Sequence, residues 1–256
     1  MKVSIITSCF NRAATIGQTI ESVLGQDYPD IEYIVVDGAS CDGSMDVVRS
    51  YGSRIDRVIS EADSGMYEAI NKGIRAATGD VVGLLHSDDF FLSPHIISDI
   101  VGVFHATGAE LVYGNGLYVD AAHTDRVVRN WVSGRYRRWK VRLGWLPLHP
   151  TVYIRRDVLE RCGLYDDSYK IAADSDFLVR YLYEERLHVE YMDKYVLKMR
   201  MGGLSTDYSR RAQMWDEDIR MYREHGFMPV PMKLMKMGWK VPQFLSAKLK
   251  KRFGDV

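Results

Sequence analysis

The chain lacks an excess of charge of either sign. Lys and Arg number 34, Asp and Glu number 34, and the formal net charge is zero. That balance argues against a dedicated nucleic-acid binder, which needs a basic surface to meet phosphates. Cysteine is scarce. Cys9, Cys41 and Cys162 are odd in number, far apart and form no CxxC pair. Neither a disulfide framework nor a zinc site is indicated, and a reducing cytoplasm is the expected compartment. No run approaches the roughly 20 apolar residues of a membrane span. The apolar stretch in "MKVSIITSCFNR" is too short for a signal peptide. Two glycine-rich phosphate loops are missing as well. Neither GxGxxG nor a Walker lysine loop follows the first expected strand, and "GNGLYV" lacks the third glycine and follows the wrong strand. A bound nucleotide must therefore be held in another way. What the chain does have is core: 46% of its 256 residues are hydrophobic, which excludes disorder.

Apolar spacing alternates between strand and helix through the first 115 residues. "KVSIITSCF", "IEYIVVD", "DRVIS", "DVVGLL" and "ELVYGN" read as buried strands. Between them, Ile16, Ile20, Val23 and Leu24 recur at helical spacing. "MYEAINKGIRAA" is a helix closed by Gly79, and "SPHIISDIVGVFHATG" a helix with Pro94 in its first turn. Alternating strands and helices predict an α/β fold whose sheet is mostly parallel and flanked by helices. In such sheets ligands sit beyond the carboxyl ends of the strands. The regularity then stops. Residues 116–150 read as loop and short antiparallel strands. "TVYIRRDVLERCG" is strand then helix, "ADSDFLVRYLYEE" an amphipathic helix, and "HVEYM" and "YVLKMRMGG" closing strands. Beyond Thr206 the pattern is helical and basic.

Polar residues collect at four expected strand ends. The first strand runs into Thr7-Ser8-Cys9-Phe10-Asn11-Arg12. The second ends in "VVDGASCDGS", where Asp37 offers an acceptor to a nucleobase N–H or, more blandly, to its own turn. "SEADSGMYEAINKG" places Glu61, Asp63 and Ser64 before a helix, either as ligands or as caps. The fourth strand ends in His86-Ser87-Asp88-Asp89. Adjacent carboxylates repel, and a hard cation such as Mg²⁺ or Mn²⁺, bridging to a diphosphate, would offset that repulsion. A solvated cap is the plain alternative.

Taken in order, these segments resemble the family 2 glycosyltransferases of GT-A fold. The match includes "VSIITSCFNR", "YIVVDGASCDGS", "SEADSGMYEAINKGIRAATGDVVGLLHSDD", "HPTVYIRRDVLERCGLYDDSY", "AADSDFLVRY" and "GGLST". It is similar above all to bacterial enzymes that build capsular, colanic-acid or O-antigen repeat units. The resemblance implies a GT-A domain over 1–206, with a nucleotide-sugar-binding half at 1–115 and an acceptor half at 116–206, and a helical basic tail at 207–256. It implies that Thr7 and Asn11 line the nucleoside pocket, that Asp37 contacts a base, usually uracil, and that Asp63 lies near the ribose and diphosphate. Asp88 matches the metal-binding carboxylate and Asp89 its neighbour. His86 stands where the family commonly has the first Asp of Asp-x-Asp. Asp174 takes the catalytic-base position, Arg180 a recurrent structural Arg, and His149 a position near the acceptor. Gly202 and Gly203 belong to a flexible segment beside the donor diphosphate. The implied reaction is inverting transfer from a UDP-sugar, with Mn²⁺ or Mg²⁺, to a glycan or polyprenyl-diphosphate-linked acceptor. A binding-only relative and a nucleotide-sugar nucleotidyltransferase are the alternatives.

The tail carries a signal of its own. Residues 232–253 contain seven Lys or Arg and no acid, with Leu234, Met237, Val241, Leu245 and Leu249 at helical spacing and Pro242 within. Residues 133–145 add five cations around Trp139 and Trp145. Both suit either a helix packed on the domain or an anionic membrane surface, and the lipid-linked acceptor that the resemblance implies favours the second, with the protein cytoplasmic and peripheral on the inner face of the cell membrane.

Overall fold

A computed structural model describes residues 1–203 and 208–253, with side chains described for 1–203 and 209–244. Four strands form the parallel half of the sheet: β1 (Val3–Cys9), β2 (Ile31–Asp37), β3 (Arg57–Ser60) and β4 (Val81–Leu84). β1 pairs in parallel with both β2 and β4, and β2 with β3. Beyond β4 the sheet is mixed. β8 (Tyr153–Arg155) lies antiparallel between β4 and β6 (Leu111–Val119), and β6 runs parallel to β9 (Val189–Arg200). β7 (Val127–Trp131) pairs antiparallel with β6.

Side chains alternate across this sheet, so both faces are buried. Val3 and Ile5 enter one cluster with Ile20, Val35, Val81 and Phe104. Ile6 enters the other, with Val36, Ile70, Leu84, Phe177 and Tyr222. The first cluster is covered by α1 (Ile16–Leu24), α2 (Ser44–Ser50) and α4 (Ile96–Thr107). The second is covered by α3 (Met66–Ala76), α6 (Arg156–Cys162) and α7 (Ala173–Val179). α3 lies tight on the sheet because Gly73 has no Cβ; one there would sit 2.4 Å from Ile6 Cγ2.

Three departures from the sequence reading bear on function. "ELVYGN" is only the start of β6, which runs on to Val119, and the two closing strands are one strand, β9. A two-residue strand, β5 (Phe90–Phe91), follows the paired aspartates and pairs with Leu197 and Lys198 of β9. That pairing brings the far end of β9 back to the motif at the end of β4. Finally, α8 (Arg211–Glu224) and α9 (Pro229–Phe253) bury Met221, Tyr222 and Met232 in the cluster that holds α7. The expected boundary near 206 falls outside the described residues, as do Leu204, Ser205 and Thr206 of "GGLST".

Candidate functional site

The parallel strands deliver four polar loops to one end of the sheet. The loops after β1 and β2 are laced together. Asn11 Oδ1 accepts from the Cys41 N–H at 3.0 Å, the Asn11 N–H donates to Ser40 Oγ at 2.8 Å, and the Ala13 N–H donates to Asp42 Oδ2 at 3.0 Å. Asn11 holds φ at +53°, a left-handed backbone that Asn tolerates better than most residues. Thr7 is fully buried, with its hydroxyl 3.1 Å from that of Tyr33. Its side chain therefore faces the core, and only its backbone borders the loops.

Asp37 is fully buried at the end of β2. Its carboxylate accepts from the Ser40 N–H at 3.1 Å and from Ser60 Oγ at 2.8 Å, so it organises its own turn and ties it to β3. Asp63 closes the same corner, with Oδ1 accepting from the Gly65 N–H at 3.1 Å. Burial raises its pKa, and the neighbouring Asp37 adds to that shift. Gly38 makes the approach of Asp63 possible: a Cβ there would lie 2.8 Å from Asp63 Oδ2. Gly38→Ala is therefore expected to displace the Asp63 carboxylate and weaken nucleotide binding by about ten- to a hundredfold. Titration calorimetry beside an unchanged circular dichroism spectrum checks this.

At the end of β4 the two aspartates part company. Asp88 is partly exposed, with Oδ2 3.7 Å from Arg12 Nε. Asp89 is buried. Its Oδ1 accepts from the Arg200 N–H at 3.2 Å, while Oδ2 is a buried oxygen with no hydrogen-bond partner. Burial raises the Asp89 pKa well above an ordinary carboxylate, and Asp88 adds to the rise. Arg200 also donates to the Asp88 carbonyl, at 2.5 Å, and to Gln18. Arg12 and Arg200 thus bring two guanidinium groups to the motif. Neither was singled out in the sequence, because Arg200 reaches it only through the β5–β9 pairing. His86 lies 3.3 Å from Ser8 Oγ, and burial lowers its pKa.

Among the described residues no cluster of three or more His, Cys, Asp and Glu side chains could cage a metal ion. The donor set does suit a hard cation that takes one or two carboxylates and draws its other ligands from substrate phosphates and water. Asp88 is partly exposed and offers such an oxygen, and the next residue, Asp89, carries a buried Oδ2 with no hydrogen-bond partner.

Asp174 comes from the other half of the chain, in the first turn of α7. Just ahead of that helix, Glu217 Oε2 of α8 accepts from the Ile171 N–H at 2.8 Å and the Ala172 N–H at 2.9 Å. Asp174 Oδ1 accepts from the Ser175 N–H at 2.6 Å and lies 3.2 Å from Ser175 Oγ. Lys236 Nζ of α9 donates to that same Oγ at 2.7 Å and to Asp218 at 2.8 Å. Asp174 Oδ2 has no partner among the described residues. Burial raises the Asp174 pKa, Lys236 pulls it back, and Asp218 pushes it up again. Sequence spacing could not have found these residues, since Glu217 reaches across 45 positions and Lys236 across 61, and Asp218 joins through Lys236.

Asp176, two residues on, points into a separate network: it pairs with Arg180 at 3.2 Å and His225 at 2.9 Å. Those groups line an open depression of about 460 Å³ with Tyr165 and Glu224, whose charges are already matched. Arg180 also donates to the Cys162 and Leu164 carbonyls at 2.7 Å, a structural role. His149 is buried, bonded through Nε2 to Tyr165 OH at 2.7 Å, with its ring 6.4 Å from that of His86. Burial, then His86, pushes its pKa down to about 3, so it is neutral. Gly202, with φ at +113°, and Gly203 follow Arg200 and Met201, at the edge of the undescribed segment.

Tyr118 of β6 is buried, which raises its pKa to about 12, while Arg129, whose guanidinium lies 5.0 Å from its ring, opposes the rise.

An α/β fold whose parallel strands end in polar loops without a glycine motif, with an aspartate pair after β4, defines the class of protein. Residues 4–163 match the sequence model of Glycosyl transferase family 2, and the chain belongs to that family. A protein described as a glycosyltransferase in Nostoc sp. is 38% identical over 136 residues, 48% of this chain and 41% of that one. Another in Mycobacterium tuberculosis is 32% identical over 180 residues, 70% of this chain and 68% of that one. The chain thus spans less than half the length of the first relative and about two thirds of the second. Among solved structures, S. aureus TarS 1–349 in complex with UDP-GlcNAc superposes with a TM-score of 0.67 at 14% identity, covering 100% of this chain and 93% of that one. The Pyrobaculum calidifontis mannosyltransferase in complex with GDP-Man and Mn²⁺ gives 0.65 at 17%, covering 100% and 76%. The fold is GT-A.

Proposed function

We propose that this protein is an inverting glycosyltransferase that moves a sugar from a nucleoside-diphosphate donor to a hydroxyl of a glycan or lipid-linked acceptor. What supports the reading is the match of residues 4–163 to Glycosyl transferase family 2, together with the Asp88-Asp89 pair at the end of β4 and a second carboxylate, Asp174, in the first turn of α7. Asp37, Asp63 and Asn11 form the corner for the nucleoside, with the Thr7 backbone beneath. A UDP-linked donor suits it, and the UDP-GlcNAc complex of TarS supports that choice. Asp88, with Asp89 behind it, would hold Mn²⁺ or Mg²⁺, and a bound cation supplies charge neutralisation for the departing diphosphate. Arg12 and Arg200 add positive charge on the same side, the electrostatic stabilisation a leaving group needs.

Asp174 Oδ2 takes the proton of the acceptor hydroxyl. The oxygen then forms a bond to the anomeric carbon as the bond from that carbon to the diphosphate breaks. A single displacement inverts configuration, so an α-linked donor gives a β-glycoside. A lipid-linked sugar in surface polysaccharide assembly, met at the inner face of the cell membrane, is the acceptor class that suits the family. The test is incubation with a panel of UDP- and GDP-sugars, Mn²⁺ and a polyprenyl-diphosphate-linked acceptor. Nucleoside diphosphate release and the anomeric configuration of the product are the readouts. Release with retained configuration overturns the single displacement. Donor binding without release across the panel favours a binding-only relative, the reading that His86 in the metal motif keeps open. A nucleotidyltransferase is disfavoured by the loop after β1, which has no glycine before Gly17.

A further inference from the structure

Helix α9 is amphipathic in the reverse of the usual sense. Its described cations, Lys233, Lys236 and Lys240, turn inward. Lys233 and Lys236 are both paired with the buried Asp218, and Lys240 is partly buried beside them. Trp239 Nε1 donates to the Leu143 carbonyl at 2.8 Å, and Gln243 accepts from Arg129 Nε at 2.7 Å. Apart from Met232 and Trp239, which pack on the core, a stripe of its apolar residues turns outward. Val230, Leu234, Met237, Val241 and Phe244 each expose between 43% and 57% of their surface. They recur every three or four residues and so line one face of the helix. The helix cannot roll this stripe onto the domain. Doing so would pull Lys233 and Lys236 away from Asp218 and leave a buried carboxylate uncompensated, a costly state.

A second patch adjoins it. Gly144 packs so closely on α9 that a Cβ would lie 2.7 Å from the Lys236 nitrogen. The segment leading to that contact, around α5 (Arg138–Val141), exposes Trp139 together with Arg135, Arg137, Arg138 and Arg142. No Asp or Glu occurs between Arg126 and Arg156, or between His225 and Gly254. We infer that the outer face of α9 and the Trp139 patch together form a docking surface for an anionic phospholipid membrane. The stripe enters the interface between headgroups and acyl chains, Trp139 lies at headgroup level, and the arginines meet lipid phosphates. Charge selects this occupant over a second copy of the chain. A two-fold contact lays a patch on itself and would bring the same arginines face to face with no carboxylate between them.

This inference gives a location to the lipid-linked acceptor proposed above, and it is tested without turnover. The full chain is sedimented with vesicles of phosphatidylcholine, with and without phosphatidylglycerol, at low and high salt. The expected result is binding to the anionic vesicles at low salt and release at high salt. Leu234→Gln/Met237→Gln/Val241→Gln is expected to weaken vesicle binding about tenfold or more. Arg135→Gln/Arg137→Gln/Arg142→Gln is expected to abolish the preference for phosphatidylglycerol. None of these side chains touches the donor site, so nucleotide binding stays unchanged in both variants and reports a folded protein. Wild-type protein that stays in the supernatant overturns the inference, as does a stripe variant that sediments like wild type. A vesicle-free dimer that the stripe variant dissolves assigns the face to a second copy instead. Failure of the transferase reading shows separately, as vesicle binding without product.

Discussion

Asp174→Asn is expected to bind the nucleotide donor as the native protein does and to turn over about two to four orders of magnitude more slowly, the loss typical of a missing general base. The geometry isolates the effect. Oδ1 is held by the Ser175 N–H, and Asn can keep that contact through its own carbonyl oxygen. Oδ2 has no partner among the described residues and is the atom that changes from a base to an amide. The turn ahead of the helix is held independently, by Glu217 on the Ile171 and Ala172 N–H groups. Stability should not fall either. Asp174 has a folded pKa above its unfolded one. Folding therefore favours its protonated form, and ionised Asp174 costs stability at every pH above both values. That cost disappears as pH falls below the unfolded pKa. An uncharged Asn avoids it at neutral pH, so thermal unfolding should show the variant as stable as the parent or more so.

The same shift fixes the sign of the pH profile. The active form is the ionised one, so kcat/KM rises with pH through the folded pKa of Asp174, with its acid limb above that of an ordinary aspartate. Lys236 lowers that pKa through its charge and holds Ser175 Oγ in place. Lys236→Met is accordingly expected to move the acid limb upward, and Lys236→Arg to restore it. A rate loss in Lys236→Met with no movement of the limb would mean that the lysine only packs α9. Nucleotide affinity that collapses in Asp174→Asn, with turnover retained, sinks the base assignment itself.

How much of this was legible beforehand depends on the distance over which each contact forms. The strand ends were readable because a parallel sheet gathers its carboxyl ends at one edge. Once β1, β2 and β4 are recognised by their β-branched runs, Asn11, Asp37 and Asp88 must be neighbours. Side-chain direction was less accessible. Thr7 is the fifth residue of β1 and falls on the Val3–Ile5 face, so alternation alone sends it into the core. Asp37 turned out to satisfy its own loop and Ser60, the plainer of the two roles its position allowed. Arg200 was hidden because a two-residue strand leaves almost no periodic signal. The α9 pattern shows the limit from another side. Spacing marked Leu234, Met237 and Val241 as one face, yet spacing is silent on whether a face meets the protein or the outside. The decision rests on Asp218, a buried acid on another helix that draws the lysines inward.

Asp88→Ala is expected to remove cation-dependent nucleotide binding and to lower turnover by about two to three orders of magnitude. Asp88 is the carboxylate of the pair that faces outward, and its present partner is weakly held. A half-exposed guanidinium at 3.7 Å contributes little in water, so Arg12 can yield the oxygen to a divalent ion at small cost. Arg12 remains beside the diphosphate afterwards and shares in neutralising it. Asp89 plays a different part. Its Oδ1 anchors the Arg200 N–H, and through it the end of β9, while burial and the Asp88 charge hold its pKa high. Asp89→Asn keeps an acceptor for that N–H, so it should cost turnover far less than Asp88→Ala and leave the unfolding temperature nearly unchanged. Calorimetric titration of UDP with and without Mn²⁺ separates the cases. The parent should bind more tightly with the ion, Asp89→Asn should keep most of that gain, and Asp88→Ala should show none. Full turnover of the parent in excess EDTA would remove the metal from the proposal. It would leave Arg12 and Arg200 as the groups that stabilise the leaving diphosphate, and the double variant Arg12→Gln/Arg200→Gln would then carry the larger loss.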